Sequence, residues 1–243
     1  MTLRHLSFLA LVFALAGCFG GGGRQNSEPS AQQRLVRVDW YGYQCFRIKS
    51  TLGLSILTNP FAPGSTDFAE PKNVAPEVLL VTTEDPTANY IDLVDNTPHI
   101  LRGSVGVGTN NASGIRIVGT PVFKNPDTQD VSGMNVIYSW SMDGLRFCFL
   151  GELNTMPAPQ DISRIGRVDV LFVPVSSSDL TSSQRQQLIT QLRPQVIIPM
   201  GALSAMSRFA SGYTSVYRLN RPAALLSREA LPAQPTVLLF PTP

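Results

Sequence analysis

Residues 82–87, Thr82-Thr83-Glu84-Asp85-Pro86-Thr87, set two carboxylates and three hydroxyls side by side directly after the apolar run Val78-Leu79-Leu80-Val81. Such oxygens suit two kinds of chemistry. Asp85 with Glu152 and threonine hydroxyls would make a weak site for a hard cation, which takes oxygen ligands. Thr83, or Ser176 to Ser178, beside Lys124 would make a hydroxyl-lysine pair, in which the amine removes the proton of the attacking hydroxyl. Imidazole and thiolate, which zinc and general-base catalysis ordinarily use, are missing from this loop. His99 is the only histidine after Cys18. It stands in Thr97-Pro98-His99-Ile100-Leu101, a turn leading into a strand, and reads as structural or exposed rather than as a base. Gly103 to Gly108 is glycine-spaced but neither follows a clear strand nor opens a helix, so it reads as a loop near the cleft and not as a phosphate cradle.

The elements that must position these residues can be read from hydrophobic pattern. Val78 to Val81, bounded by Pro76 and Pro86, reads as a strand buried on both faces. Open α/β sheets place their sites at the carboxyl ends of such strands. The plan is duplicated. Ser50 to Asn59 and Ser141 to Gly151 each read as a hairpin turn followed by a strand, and Val78 to Val81 and Asp169 to Val173 follow at nearly the same separation. Helices are expected after the buried strands. Thr181-Ser182-Ser183-Gln184 has the form of a capping box, Leu188, Ile189 and Leu192 supply an apolar stripe, and Pro194 ends the helix. Val196 to Pro199 is a further buried strand, and Leu203 to Phe209 a short helix. The expected fold class is α/β (α+β), with helix, sheet, sheet and helix in four layers, an αββα sandwich. Its strand-end loops would bring Asn59, Thr83 to Ala88, Lys124, Glu152, Ser176 to Ser178 and Gly201 into one cleft.

The remainder bounds location and partners. Residues 1–17 carry Arg4, an apolar run from Leu6 to Ala16 and the ending Leu15-Ala16-Gly17-Cys18. That run is too short to span a bilayer, and the pattern is a secretory signal. Its ending resembles the bacterial lipobox, which implies acyl chains, palmitate among them, on Cys18. Each buried CH₂ of such chains contributes about 0.8 kcal/mol to membrane attachment. Residues 18–33 then read as the lipidated cysteine and a Gly-, Gln- and Ser-rich tether, and 34–243 as one domain. A net charge of +2 with no basic run gives no reason to expect nucleic acid as a partner. Cys45 and Cys148 sit in apolar runs and are expected to be buried, unpaired thiols.

Trp40 to Ile48, Ile56 to Phe61, Val78 to Ala88, Gly119 to Lys124, Phe149 to Leu153 and Ile198 to Gly201 resemble, in order, the successive motifs of the metallo-β-lactamase superfamily, nearest to its lactonase-like metal-dependent hydrolases. The resemblance implies the αββα fold. It also implies a metal site, and there the residues depart from the pattern. The signature Thr-His-x-His-x-Asp-His falls on Thr82, Thr83, Glu84, Asp85, Pro86, Thr87 and Ala88. The other ligand positions fall on Lys124, Glu152 and Gly201, and the first-motif histidine on Tyr43. Without imidazole, zinc is not expected, and no cofactor is. The remnant pocket is Tyr43, Asn59, Thr83, Asp85, Thr87, Ala88, Lys124, Glu152 and Gly201. In it the Lys124 ammonium is expected to replace the metal by pairing with Asp85, Glu152 or both. The expected role is a non-catalytic envelope lipoprotein, a pseudoenzyme that binds a small ligand or another envelope protein. The alternative is a hydrolase using the weak metal site or the hydroxyl-lysine pair described above.

Overall fold

The duplicated hairpin plan is realised strand for strand. The computed structural model describes residues 34–125, 127, 130–176 and 180–243. The signal segment, Cys18, the run to residue 33, Ser177 and Ser178 lie outside the described residues. The first half contributes β1 (Val36–Gly42), β2 (Cys45–Lys49), β3 (Ser55–Thr58), β4 (Val78–Leu80) and β5 (His99–Leu101). After β6 (Gly108–Ala112), the second half contributes β7 (Ile115–Phe123), β8 (Met134–Met142), β9 (Leu145–Phe149), β10 (Val170–Pro174) and β11 (Val196–Met200). The chain closes with β12 (Val216–Arg218), β13 (Ala223–Leu226) and β14 (Thr236–Leu239). In each half, two antiparallel pairings, β1 to β2 to β3 and β7 to β8 to β9, lead into two parallel ones, β3 to β4 to β5 and β9 to β10 to β11. One sheet has six strands in the order β13-β1-β2-β3-β4-β5, and the other eight in the order β12-β14-β11-β10-β9-β8-β7-β6.

Side chains alternate across each strand and sort themselves into layers. Phe46 on β2 points into the space between the sheets, where its ring lies 4.9 Å from that of Phe172 on β10. Phe149 on β9 joins them, 5.6 Å from Phe172. Cys45 on β2 points the other way, into a second apolar cluster with Leu57, Leu79 and Val81. Cys148 likewise alternates with the inward-facing Phe149, so the two thiols leave different sheets in opposite directions. Both are free, and burial pushes both thiols far above their ordinary pKa.

Three α-helices cover the eight-stranded sheet: α1 (Pro159–Ile165), α2 (Ser182–Leu192) and α3 (Leu203–Ala210). The capping box at Thr181 and Gln184 is present, with Leu188, Ile189 and Leu192 buried, and Arg193 ends α2 in the left-handed conformation. The layer over the six-stranded sheet is built differently from expectation. No α-helix follows β4 among the described residues. A single 3-10 turn, Ile91–Leu93, and the loops carrying Phe61 and Val74 bury that face instead. The turn opens as a helix would, with the Asp85 carboxylate accepting the Thr87 N–H at 2.9 Å across Pro86, but it does not continue: the Pro86 carbonyl accepts the Ala62 N–H at 2.9 Å and the Tyr90 N–H bonds the Pro60 carbonyl at 2.9 Å, so the loop carrying Phe61 takes the partners a further helical turn would use. Among the described residues no helix is long and apolar enough to cross a membrane.

Candidate functional site

At the carboxyl ends of β3, β4 and β9 a strip of buried amides and hydroxyls ties the two sheets together. It begins with Asn59, fully buried and held at φ 35°, a left-handed conformation that asparagine tolerates better than most residues. Its amide nitrogen donates to Gln44 Oε1 at 2.9 Å and to Thr82 Oγ1 at 2.8 Å, and its amide oxygen accepts the Thr82 N–H at 3.0 Å. The Thr82 carbonyl crosses to the other sheet and accepts the Val136 N–H at 2.8 Å. Next to it Asn135 accepts the Glu152 N–H at 3.0 Å and donates to the Leu150 carbonyl at 2.9 Å. Gly151 makes this approach possible. A Cβ there would sit 2.6 Å from Asn135 Oδ1, and φ is 63°.

Beyond the strip lies a cluster of three side chains. Thr87 Oγ1 is 2.7 Å from Asp85 Oδ1 and 2.6 Å from Glu152 Oε1. A hydroxyl has one proton, so it cannot donate to both carboxylates. The single Thr87 proton is therefore shared between two carboxylate acceptors. Burial pushes the Glu152 carboxyl above the ordinary range; the Thr87 hydroxyl opposes this and the charge of Asp85 adds to it. The arrangement is a hydroxyl held between two carboxylates, able to donate to only one of them at a time. Because the folded pKa is raised, the contribution of Glu152 to stability is complete below the unfolded glutamate value and is lost as pH rises through the folded one. Glu152→Gln brings an amide donor to Thr87 and carries no charge. It is expected to be more stable than the wild type at pH 7, by about 1 kcal/mol, and not at pH 4. Thermal melts of both proteins at the two pH values check this, and a gain independent of pH would contradict the shared proton.

Other residues of the expected pocket are placed as follows. Thr83 is half-buried, and Ala88 is buried with its N–H on the Asp85 carbonyl. Gly201, at φ 131°, donates its N–H to the Tyr43 carbonyl at 3.3 Å, which links the sheets a second time. A Cβ on Gly201 would lie 2.9 Å from Ser176 Oγ. Glu84 is exposed and paired with Arg102. His99 is exposed at the start of β5, and Gly103–Gly106 forms a 3-10 turn after that strand.

The expected Lys124 pairing requires correction. Lys124 is exposed, and its side chain makes no hydrogen bond or ion pair among the described residues. Its backbone N–H continues the β7 to β8 ladder by bonding the Gly133 carbonyl at 3.0 Å, which leaves the side chain at the rim. The Thr87 hydroxyl, not an ammonium, stands between the two carboxylates. Thr83, the described threonine offered for a hydroxyl-lysine pair, makes no hydrogen bond to Lys124; Ser177 and Ser178 lie outside the described residues.

Sequence reasoning passed over Gln44 and Asn135, and counted Thr82 only as a hydroxyl of the loop. The signal of the first two was a polar residue inside an apolar strand-like run, and each of the three is buried and hydrogen-bonded.

The donors do not fit zinc. Among the described residues no three of His, Cys, Asp and Glu gather at one point. Asp85 and Glu152 offer carboxylate oxygen only, and the Thr87 hydroxyl between them is already shared. Tetrahedral zinc draws on imidazole and thiolate, and calcium needs six or more oxygens.

A family model described as beta-lactamase superfamily domain matches residues 37–201. A protein of Archaeoglobus fulgidus described as a UPF0173 metal-dependent hydrolase is 22% identical over 193 residues, covering 68% of this chain and 82% of that one. The structure of an inferred Zn-dependent hydrolase of the metallo-β-lactamase superfamily from Thermotoga maritima is similar at a TM-score of 0.67. It is 23% identical, and the match covers 84% of this chain and 98% of that one. An inferred metal-dependent hydrolase from Parabacteroides distasonis is similar at a TM-score of 0.54 and 18% identity, over 68% of this chain and 81% of its own. At these identities the structural likeness speaks for the fold.

Proposed function

This chain belongs to the β-lactamase superfamily, and on that premise we propose that it is a member in which binding has replaced metal chemistry. It is a lipoprotein of the cell envelope, attached to a membrane through acyl chains on Cys18. Its cleft is non-catalytic and receives a small polar ligand or a segment of another envelope protein. One observation carries the reading: the Thr87 hydroxyl bridges Asp85 and Glu152 at the positions where the family pattern has metal ligands. A metal there would have to displace the Thr87 hydroxyl from between the carboxylates and would find no imidazole. Without a metal, the family's route to an activated water is missing, since that route depends on the cation lowering the pKa of bound water.

The relatives described as metal-dependent hydrolases favour a second reading, a hydrolase with a weak oxygen-ligand site at Asp85 and Glu152. Elemental analysis separates the two. Full-length protein purified without added metal, and again after incubation with zinc and desalting, is expected to carry far less than one equivalent. One or two equivalents of zinc, manganese or iron would overturn the proposal.

A further inference from the structure

We infer that the end of the domain opposite the cleft seats against an anionic phospholipid surface, with the Leu52 turn at its centre and a ring of basic side chains around it. The inference rests on the lipid-anchor reading above and adds an orientation to it. Strands β1, β3, β4, β9, β10 and β11 all run toward the cleft, so their first residues share the far end. Hydrogen bonds join that end into one surface. The Leu35 N–H donates to Thr51 Oγ1 at 2.9 Å, the Thr51 hydroxyl donates back to the Leu35 carbonyl at 3.1 Å, and the Thr51 N–H donates to Asp143 Oδ2 at 2.6 Å. The hairpin turns of both halves therefore meet where the domain's first described residues lie.

Leu52 stands at the tip of the β2 to β3 turn and is 88% exposed. A lone exposed leucine means little. This one stands at an end whose exposed charges are mostly basic. Arg34, Lys49, Arg116, Arg167 and Arg193 are exposed at the same end, at or beside the ends of β1, β2, β7, β10 and β11. Arg228 reaches the Gly144 carbonyl beside them. Acids here are largely engaged: Asp169 is buried between Arg146 and Arg228, Asp143 accepts from Thr51, and Glu77 accepts from Ser55, which leaves Asp95 and Glu229 exposed. The cleft end is of mixed charge, with Glu84, Asp85, Asp127, Asp130 and Glu152 beside Lys124, Arg102, Arg218 and Arg221.

An apolar tip within a basic ring is complementary to anionic headgroups over an acyl layer. Each Lys or Arg near such a surface contributes about 1 kcal/mol, and the leucine inserts without burying a polar group. Geometry favours the same occupant. Residues 19–33 span at most about 50 Å between Cys18 and the domain. Attachment there keeps this end beside the membrane at high effective concentration. The cleft then opens away from the bilayer, toward soluble ligands and partners.

The test uses the full-length, acylated protein reconstituted into vesicles of phosphatidylcholine with or without phosphatidylglycerol. An environment-sensitive fluorophore is placed on Leu52→Cys or, at the cleft end, on Val131→Cys; Cys45 and Cys148 are buried and stay unlabelled. With nitroxide-labelled lipid, the probe at 52 is expected to be quenched at least about twofold more than the probe at 131 when phosphatidylglycerol is present. That difference should collapse in about 0.5 M salt and in the combined Arg34→Glu, Lys49→Glu, Arg167→Glu and Arg193→Glu variant. Equal quenching of the two probes, or a difference insensitive to phosphatidylglycerol and salt, would overturn the docking while leaving the anchor standing. Protein that fails to sediment with either vesicle would overturn the anchor and the docking together.

Discussion

Asp169→Ala is expected to lower the unfolding free energy by about 3 kcal/mol, because one fully buried carboxylate organises four donors, the Arg146 N–H, Nε and Nη2 and the Arg228 Nη1. Asp169 Oδ2 accepts the Arg146 N–H at 2.8 Å and Arg228 Nη1 at 2.9 Å, and Oδ1 accepts Arg146 Nη2 at 3.1 Å. Alanine would leave a buried backbone N–H unpaired and release two guanidinium groups that now pin the β9 strand and the segment after β13. Both arginines are partly exposed and can return to water, so the cost stays at the lower end of that for a broken buried ion pair. Burial raises the Asp169 pKa, and the Arg146 and Arg228 bonds and charges outweigh it, so the carboxyl titrates below the ordinary range. The sign follows from proton linkage. This stabilisation is complete above the unfolded aspartate value and is lost as pH falls through the lower folded one. Urea denaturation at pH 7 and at pH 3 checks both parts. A loss below about 1 kcal/mol at pH 7 would show that the carboxylate is not the organising group.

Asn59→Leu, which keeps the branched skeleton and removes the amide, is expected to cost about 3 to 4 kcal/mol. The leucine would strand the Thr82 N–H, the Thr82 hydroxyl and the Gln44 side-chain amide oxygen in a buried site, and would have to adopt the left-handed conformation that asparagine accepts. Its local signature distinguishes it from a general core defect. The Val136 amide, which bonds the Thr82 carbonyl across the sheets, should lose hydrogen-exchange protection ahead of amides within β10. Uniform loss across both sheets would mean that the buried strip is not a separate seam.

These residues also mark how much of the molecule could be read in advance. The hairpin-then-parallel plan was legible because it depends on local turn chemistry and on runs of buried residues such as Val78 to Leu80 and Val170 to Val173, which have only one comfortable environment. The capping box at Thr181 was legible for the same reason. The loop after β4 was misread as opening a helix because its first turn does have helix-start chemistry, while the bonds that stop it, from Ala62 to the Pro86 carbonyl and from Tyr90 to the Pro60 carbonyl, come from a loop distant in sequence that a local pattern does not encode. Lys124 was misread because position along a motif does not fix depth. Its side chain lies at the rim, while Thr87 and Glu152 lie inside. Gln44, Thr82 and Asn135 carry no reactive group, so nothing in their chemistry announced that they would join the sheets.

The pairing of β1 with β13 sets residue 36 against residue 226. That contact closes nearly the whole domain into one loop, and non-local closure of this kind delays folding. The six-stranded sheet is completed only when its late-arriving edge strand reaches the first. A chain emerging residue by residue therefore leaves the outer edge of β1, Val36 to Asp39, without its partner until β13 has been made. The sheet is expected to close late, after both halves of the domain are in place.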